Sequence, residues 1–257
     1  MIPETLIAPL ASGNLTYLSA GAGELLLVLH TSGGPLWTPL LDQLAAVRRV
    51  VMPVLPGFGL MPMRDGLTTV EGLADLIAEF VAETAEGAVD LFGASFGGRV
   101  ALHLAARHPG SVGRLVLEAP AGVAVGADPA TLDPQAARTG LFAHPEKAVG
   151  LKPTPELAAS NGAAFRAYGG PSFVDEVLVA ALPGIDAHTL ILMGTLDPVT
   201  PIEAGRYLVS VMPHANLTYI YDAAHAVQVD QADAMFRLVR HFLDKGPAFI
   251  VATREYA

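Results

Sequence analysis

Ten residues constrain this chain more than any others: Val89-Asp90-Leu91-Phe92-Gly93-Ala94-Ser95-Phe96-Gly97-Gly98. A short apolar run leads into a serine flanked by glycines, and helix-forming sequence follows from Arg99 to His108. The spacing predicts a strand, a sharp turn and a helix. A serine on so tight a turn leaves no room for side chains two positions away, which is why Gly93 and Gly97 stand there. Its hydroxyl is then held clear of the backbone, beside a helix N-terminus whose partial positive charge favours a developing anion. The five letters G-x-S-x-G are modest evidence alone. With 26 glycines in the chain, roughly 0.08 such matches arise by chance. Their place between strand-like and helix-like sequence is what gives them weight.

The rest of the chain repeats that alternation. Asn14 to Ser19 and the buried-looking run Leu25 to Leu29 read as strands, and the loop His30-Thr31-Ser32-Gly33-Gly34-Pro35 leads to a helix near Trp37 to Val47. Leu40, Leu41, Leu44 and Val47 share one face of that helix. Val50 to Leu55 is a further strand, and Thr68 or Thr69 caps a helix running to Thr84. Leu115 to Leu117, Thr189 to Met193 and Leu217 to Tyr221 complete the strands, with a helix over Ile202 to Val211. A last helix spans Val227 to Leu243, its buried stripe formed by Ala232, Phe236, Val239 and Leu243. Strands alternating with helices of this length imply an α/β fold, a doubly wound and mostly parallel sheet. Between Pro120 and Ala187 the alternation lapses into short helical pieces, Asp133 to Phe142, Pro145 to Val149, Pro155 to Ala167 and Phe173 to Leu182. The expected division is therefore a core of residues 1–119 and 188–257 with a helical cap at 120–187. The tail after Gly246 carries no assigned element.

Composition narrows the chemistry. At 257 residues and 52% hydrophobic the chain buries a large core as one domain with an insertion. A formal net charge of −10 and no visible basic stripe argue against nucleic acid as a partner. The N-terminus lacks a basic region followed by a long apolar run, and no apolar run is long enough to span a bilayer, so a cytoplasmic protein without membrane contact is expected. Zero cysteines leave only oxygen or nitrogen nucleophiles. No zinc-like ligand spacing and no G-x-G-x-x-G after the first strand occur, so neither a metal nor a cofactor is expected.

Ser95, Asp197 and His225 follow one another in the chain, each just beyond the end of an expected strand. With the elbow Gly93-Ala94-Ser95-Phe96-Gly97, the run Gly194-Thr195-Leu196-Asp197, a final histidine before an amphipathic helix and the His30-led loop, the chain closely resembles the α/β-hydrolase fold superfamily over about residues 14–244. That resemblance implies Ser95 as nucleophile, His225 as general base and then acid, and Asp197 as the group that orients the imidazolium. It also implies an oxyanion hole from the backbone N–H groups of Phe96 and Ser32. Thr31 stands where relatives carry glycine, so Thr31 and Gly33 are the other candidate donors. Glu118, after the preceding strand, occupies a position some relatives use for the acid; Asp197 is preferred. Asp222 reads as a solvated loop carboxylate and Asp230 as a helix N-terminal charge.

Trp37, Phe142, Phe165, Tyr168 and Val227 are expected along a substrate pocket. The expected function is hydrolysis of a small-molecule ester or lactone through an acyl-serine, with activity rising through a pKa near that of free imidazole, about 6.5. Two alternatives stand beside it. One is a C–C bond hydrolase acting on a vinylogous diketone, which the His30 loop faintly resembles, although such relatives carry Trp where this chain has Ala226. The other is a non-catalytic ligand-binding member of the fold. The partner is a small carbonyl compound, and a homo-oligomer is compatible with the sequence.

Overall fold

The computed structural model describes residues 1–125, 140–170, 174–246 and 248. Its sheet has eight strands: β1 (Glu4–Ala8), β2 (Leu15–Ala20), β3 (Leu25–Leu29), β4 (Arg49–Pro53), β5 (Val89–Ala94), β6 (Val112–Glu118), β7 (His188–Gly194) and β8 (Ala215–Ile220). Their order is β1-β2-β4-β3-β5-β6-β7-β8. The first two junctions are antiparallel, and from β4 onward every pairing is parallel. This is the α/β architecture expected from the alternation.

The strand sequences explain the layering. Side chains alternate across a strand, and here the alternation sorts them between two apolar layers. Leu27, Leu29, Val51, Leu91, Leu115, Leu117, Ile191 and Met193 enter one layer. Leu26, Val28, Val50, Met52, Phe92, Val116, Leu190 and Leu192 enter the other. Strands buried on both faces need continuous apolar runs, which is why β3 is Leu-Leu-Leu-Val-Leu.

Helices α1 (Pro39–Ala45), α2 (Val70–Thr84) and α3 (Phe96–Arg107) follow β3, β4 and β5. Helices α4 (Pro155–Ala167) and α5 (Glu176–Ala181) lie between β6 and β7; α6 (Ile202–Val211) follows β7, and α7 (Val227–Asp230) and α8 (Ala232–Lys245) follow β8. The first layer is closed by α2, α3 and α6, the second by α1 and α8. Thr69 caps α2 by accepting the Gly72 N–H at 3.0 Å, and Leu73, Ile77, Phe80 and Val81 give it a buried face. Each such side chain stabilises by about 1.5–3 kcal/mol, so a charge at Ile77 would undo α2.

Several local expectations are corrected. Helix α1 stops at Ala45, which leaves Val47 41% exposed. The last helix is two, because Gln231 takes an extended φ of −133° between α7 and α8. The stripe of α8 is Met235, Val239, Phe242 and Leu243, while Ala232 and Phe236 are only half-buried. Most of the expected helix at Asp133 to Phe142 and the start of the one at Phe173 lie outside the described residues, and Leu141 and Phe142 are not helical. The tail beyond 248 also lies outside them.

Candidate active site

Ser95 joins β5 to α3 with φ 51° and ψ −112°, a region that L-residues seldom occupy. The conformation is held from several sides. The Ser95 N–H donates to the Glu118 carbonyl at 2.8 Å, and its own carbonyl accepts from Arg99 N and Ala121 N. The flanking glycines are sterically required. A Cβ on Gly97 would overlap the Leu29 carbonyl oxygen and lie 2.6 Å from that of His30, and one on Gly93 would lie 2.8 Å from Ala101 Cβ. Gly97 thus lets the elbow press against the end of β3, where the His30 loop begins.

His225 is 8% exposed on the loop after β8. Its Nε2 lies 2.9 Å from Ser95 Oγ and its Nδ1 2.9 Å from Asp197 Oδ2. With Nδ1–H donating to the carboxylate, Nε2 is left to accept the Ser95 hydroxyl proton. Asp197 follows β7, and its other oxygen accepts Val199 N at 2.7 Å and Thr200 N at 3.0 Å. Two backbone amides therefore aim the carboxylate before the histidine meets it.

Burial and neighbouring charge act on that ring in opposite directions. Burial pulls the His225 pKa down, but the charge and hydrogen bond of Asp197 and the charge of Glu118 outweigh it, and the net direction is above 6.5. Glu118 ends β6, fully buried, and burial pushes its carboxyl up to about 7 against the opposing pull of Gln228 and His225. It accepts Gln228 N at 3.0 Å and Gln228 Nε2 at 2.8 Å, and Thr38 Oγ1 donates onward to Gln228 Oε1.

After β3, the Thr31–Gly34 loop is a turn closed by Gly34 N donating to Thr31 O at 3.0 Å. His30 Nδ1–H donates to the same oxygen at 2.8 Å, while His30 Nε2 accepts Leu55 N at 3.2 Å. Burial lowers the His30 pKa to about 4, so the ring is neutral and its tautomer is fixed by these partners. A trans peptide points N–H opposite to C=O, so pinning the Thr31 oxygen also sets the direction of the Ser32 N–H. Gly33 N is occupied by Thr31 Oγ1 at 3.1 Å, which removes it from the candidate donors. The threonine hydroxyl thereby shapes the turn.

The expected pocket residues divide. Phe165 stands edge-on to Phe96 at 5.4 Å, and Phe142 is half-buried beside the His225 loop, where Ala226 N donates to Leu141 O. Tyr168 and Val227 are buried packing residues instead, while Trp37 is half-buried against a core layer, as Phe165 also is. Tyr168 is 1% exposed, stacks on Phe58 and donates to Pro56 O at 3.1 Å. Trp37 gives its indole N–H to Asp42 and packs on the layer of α1 and α8, to which the fully buried Val227 belongs. Asp222 is exposed and meets His144 Nε2 at 2.8 Å. Asp230 overturns its expectation as a helix N-terminal charge. It is fully buried at the end of α7 and accepts Ala143 N, His144 N and Ala224 N at 2.8–3.0 Å. Sequence reasoning missed this clamp because its donors are backbone amides, two of them more than eighty residues away.

Among the described residues no group of three metal-ligating side chains occurs, and no helix is long and apolar enough to cross a membrane.

Comparison with known proteins places the chain in a family. Residues 26–238 match the model of the alpha/beta hydrolase family. A pimeloyl-[acyl-carrier protein] methyl ester esterase of Neisseria meningitidis serogroup A is 31% identical over 229 residues, covering 80% of this chain and 71% of the relative. A 2-hydroxy-6-oxo-2,4-heptadienoate hydrolase of Pseudomonas putida is 29% identical over 269 residues, covering 91% and 94%. Among solved structures, a serine hydrolase of the hydrocarbon-degrading Cycloclasticus zankles superposes with a TM-score of 0.75 at 23% identity, covering 94% of this chain and 98% of the other.

Proposed function

Since this chain belongs to the alpha/beta hydrolase family, we propose that it is a serine hydrolase cleaving a small-molecule ester or lactone through an acyl-Ser95 intermediate. The observation that carries the reading is the line Ser95, His225, Asp197, with both hydrogen bonds at 2.9 Å. A serine hydroxyl is a poor nucleophile at neutral pH unless a base takes its proton as attack proceeds. His225 Nε2 accepts that proton while Ser95 Oγ bonds to the carbonyl carbon, and Asp197 stabilises the resulting imidazolium. The carbonyl oxygen becomes an anion held by the N–H groups of Phe96 and Ser32. Collapse breaks the bond to the leaving alkoxide, which takes the proton from Nε2. Water then attacks the acyl carbon with His225 again as base, and Ser95 leaves with its proton restored. No cofactor enters any step. The stretch 120–187 serves in this reading as a cap, with Phe142 and Phe165 facing the substrate.

The dienoate-hydrolase relative favours a second reading, C–C cleavage of a vinylogous diketone. That chemistry requires polar groups to hold and protonate a dienol. Of the polar cap residues, Arg166 and Lys152 are exposed, Asn161 is spent on backbone partners, and Ala226 follows the histidine. Ester chemistry is therefore preferred. A fluorophosphonate should label Ser95 once and fail on Ser95→Ala, and short aryl esters should exceed a vinylogous diketone in kcat/KM by at least about tenfold. Absence of labelling with every probe would favour a non-catalytic binding protein, and a faster diketone would move the reading to C–C cleavage.

A further inference from the structure

Helix α4 buries only two of its residues, Ala164 and, against expectation for an amide on an otherwise exposed surface, Asn161 at 2% exposure. Asn161 reaches two loops that leave the sheet at neighbouring strands. Its Nδ2 donates to the Gly33 carbonyl at 2.5 Å, and its Oδ1 accepts Gly59 N at 2.9 Å. The partners fix the orientation of the amide, because one is an acceptor and the other a donor. Gly34 makes the approach feasible. A Cβ there would stand 2.5 Å from Asn161 Nδ2, and the residue sits at φ 92°.

Gly33 is the last central residue of the Thr31–Gly34 turn. The near side of that turn is held by His30 and by Thr31's own oxygen atoms. Its far side is held by Asn161 alone among the contacts described above. Resting on the reading that Ser32 and Phe96 supply the oxyanion donors, we propose that Asn161 is a positioning residue for the oxyanion hole. From α4 it locks the turn that aims the Ser32 N–H. A hole donor acts only if it is aimed where the anion forms, so a small loss of aim is felt in the transition state more than in substrate binding.

The test compares Asn161→Asp, Asn161→Gln and Ser160→Ala in the full chain. Asp keeps an acceptor for Gly59 N but places a carboxylate against the Gly33 carbonyl. Gln keeps both groups on a longer arm. Ser160 anchors α4 to the neighbouring loop through Gly57 O at 3.4 Å without touching the turn. For an aryl ester, Asn161→Asp should lower kcat about tenfold or more with KM little changed, and weaken phenylboronic acid, whose tetrahedral adduct places an anion in the hole, by a similar factor. Asn161→Gln should recover part of both, and Ser160→Ala should leave both near wild type. Equal loss in Asn161→Asp and Ser160→Ala, or a rise in KM with kcat unchanged, would reduce Asn161 to helix packing and overturn the proposal. If Asn161→Asp does not fold, the Gln and Ser160 variants still decide it by the same ratio of kcat to KM. Wild type that reacts with the fluorophosphonate at Ser95 while the Asn161 variants match it in rate overturns this inference alone; wild type that never reacts overturns the serine-hydrolase reading with it.

Discussion

The ends of β6 and β7 lie side by side in the sheet, and each carries a carboxylate toward the loop of His225, yet the two carboxylates are held in opposite ways. Asp197, at the end of β7, is set by two backbone amides and gives its remaining oxygen to the imidazole. Glu118, at the end of β6, gives both oxygens to Gln228 and is anchored through it to Thr38 at the start of α1. Proximity to a histidine therefore does not by itself make an acid its partner. What decides is which other donors reach the carboxylate first, and Gln228 reaches Glu118.

The largest effect that would break this contrast is on turnover. Asp197→Asn should lower kcat on an aryl ester by roughly 10⁴, because the amide cannot stabilise the imidazolium or fix its tautomer. A comparable loss in Glu118→Gln would place the acid on β6 instead. Next comes stability. Gln228→Leu removes the side-chain donor to Glu118 and the acceptor of Thr38 in a buried setting, and urea denaturation should show a loss of about 1–3 kcal/mol. Glu118→Gln should stay within about tenfold of wild-type kcat, and the difference in stability between it and wild type should depend on pH. Because burial raises the Glu118 pKa above its unfolded value, its neutral form favours folding at acid pH, and that advantage is lost as pH rises from about 4.5 toward 7. The variant should therefore gain on wild type across that window, by on the order of 1–3 kcal/mol in paired denaturation curves. The smallest effect is a shift of profile. Wild-type kcat/KM should rise with pH through a limb above 6.5, since His225 must lose its proton to act as base. In Glu118→Gln that limb should move to lower pH, since one charge favouring the imidazolium is gone.

The sheet was legible because burial on both faces writes itself as apolar runs, and α4 and α6 begin and end at the expected residues because Pro155 and Pro201-Ile202 mark their starts. The edge strand β1 was not. Four of its five residues are exposed, and of its pairing with β2 only Ala8 against Leu15 enters the core. Ser95, Asp197 and His225 could each be placed beyond a strand end from the sequence, but their line as nucleophile, base and acid came from the resemblance to the α/β hydrolases. The selection of pocket side chains was not readable, because an aromatic such as Tyr168 looks the same in sequence whether it faces a cavity or stacks on Phe58. Asp230 was misread, and Asn161 passed over, for a related reason. A polar side chain whose partners are backbone groups leaves no complementary residue in the sequence to find.

The buried carboxylate of Asp230 ties amides from two distant stretches, Ala143 and His144 on one side and Ala224 on the other. All three protons are held by the one carboxylate, so its departure would free them together. Amide exchange at the three positions should then proceed through a single opening, with matched protection and a common response to denaturant, as one cooperative unit assembled from residues about eighty apart in the chain. Since Ala224 is the residue before the histidine, the exchange rate at Ala143 becomes a clock for excursions of the His225 loop.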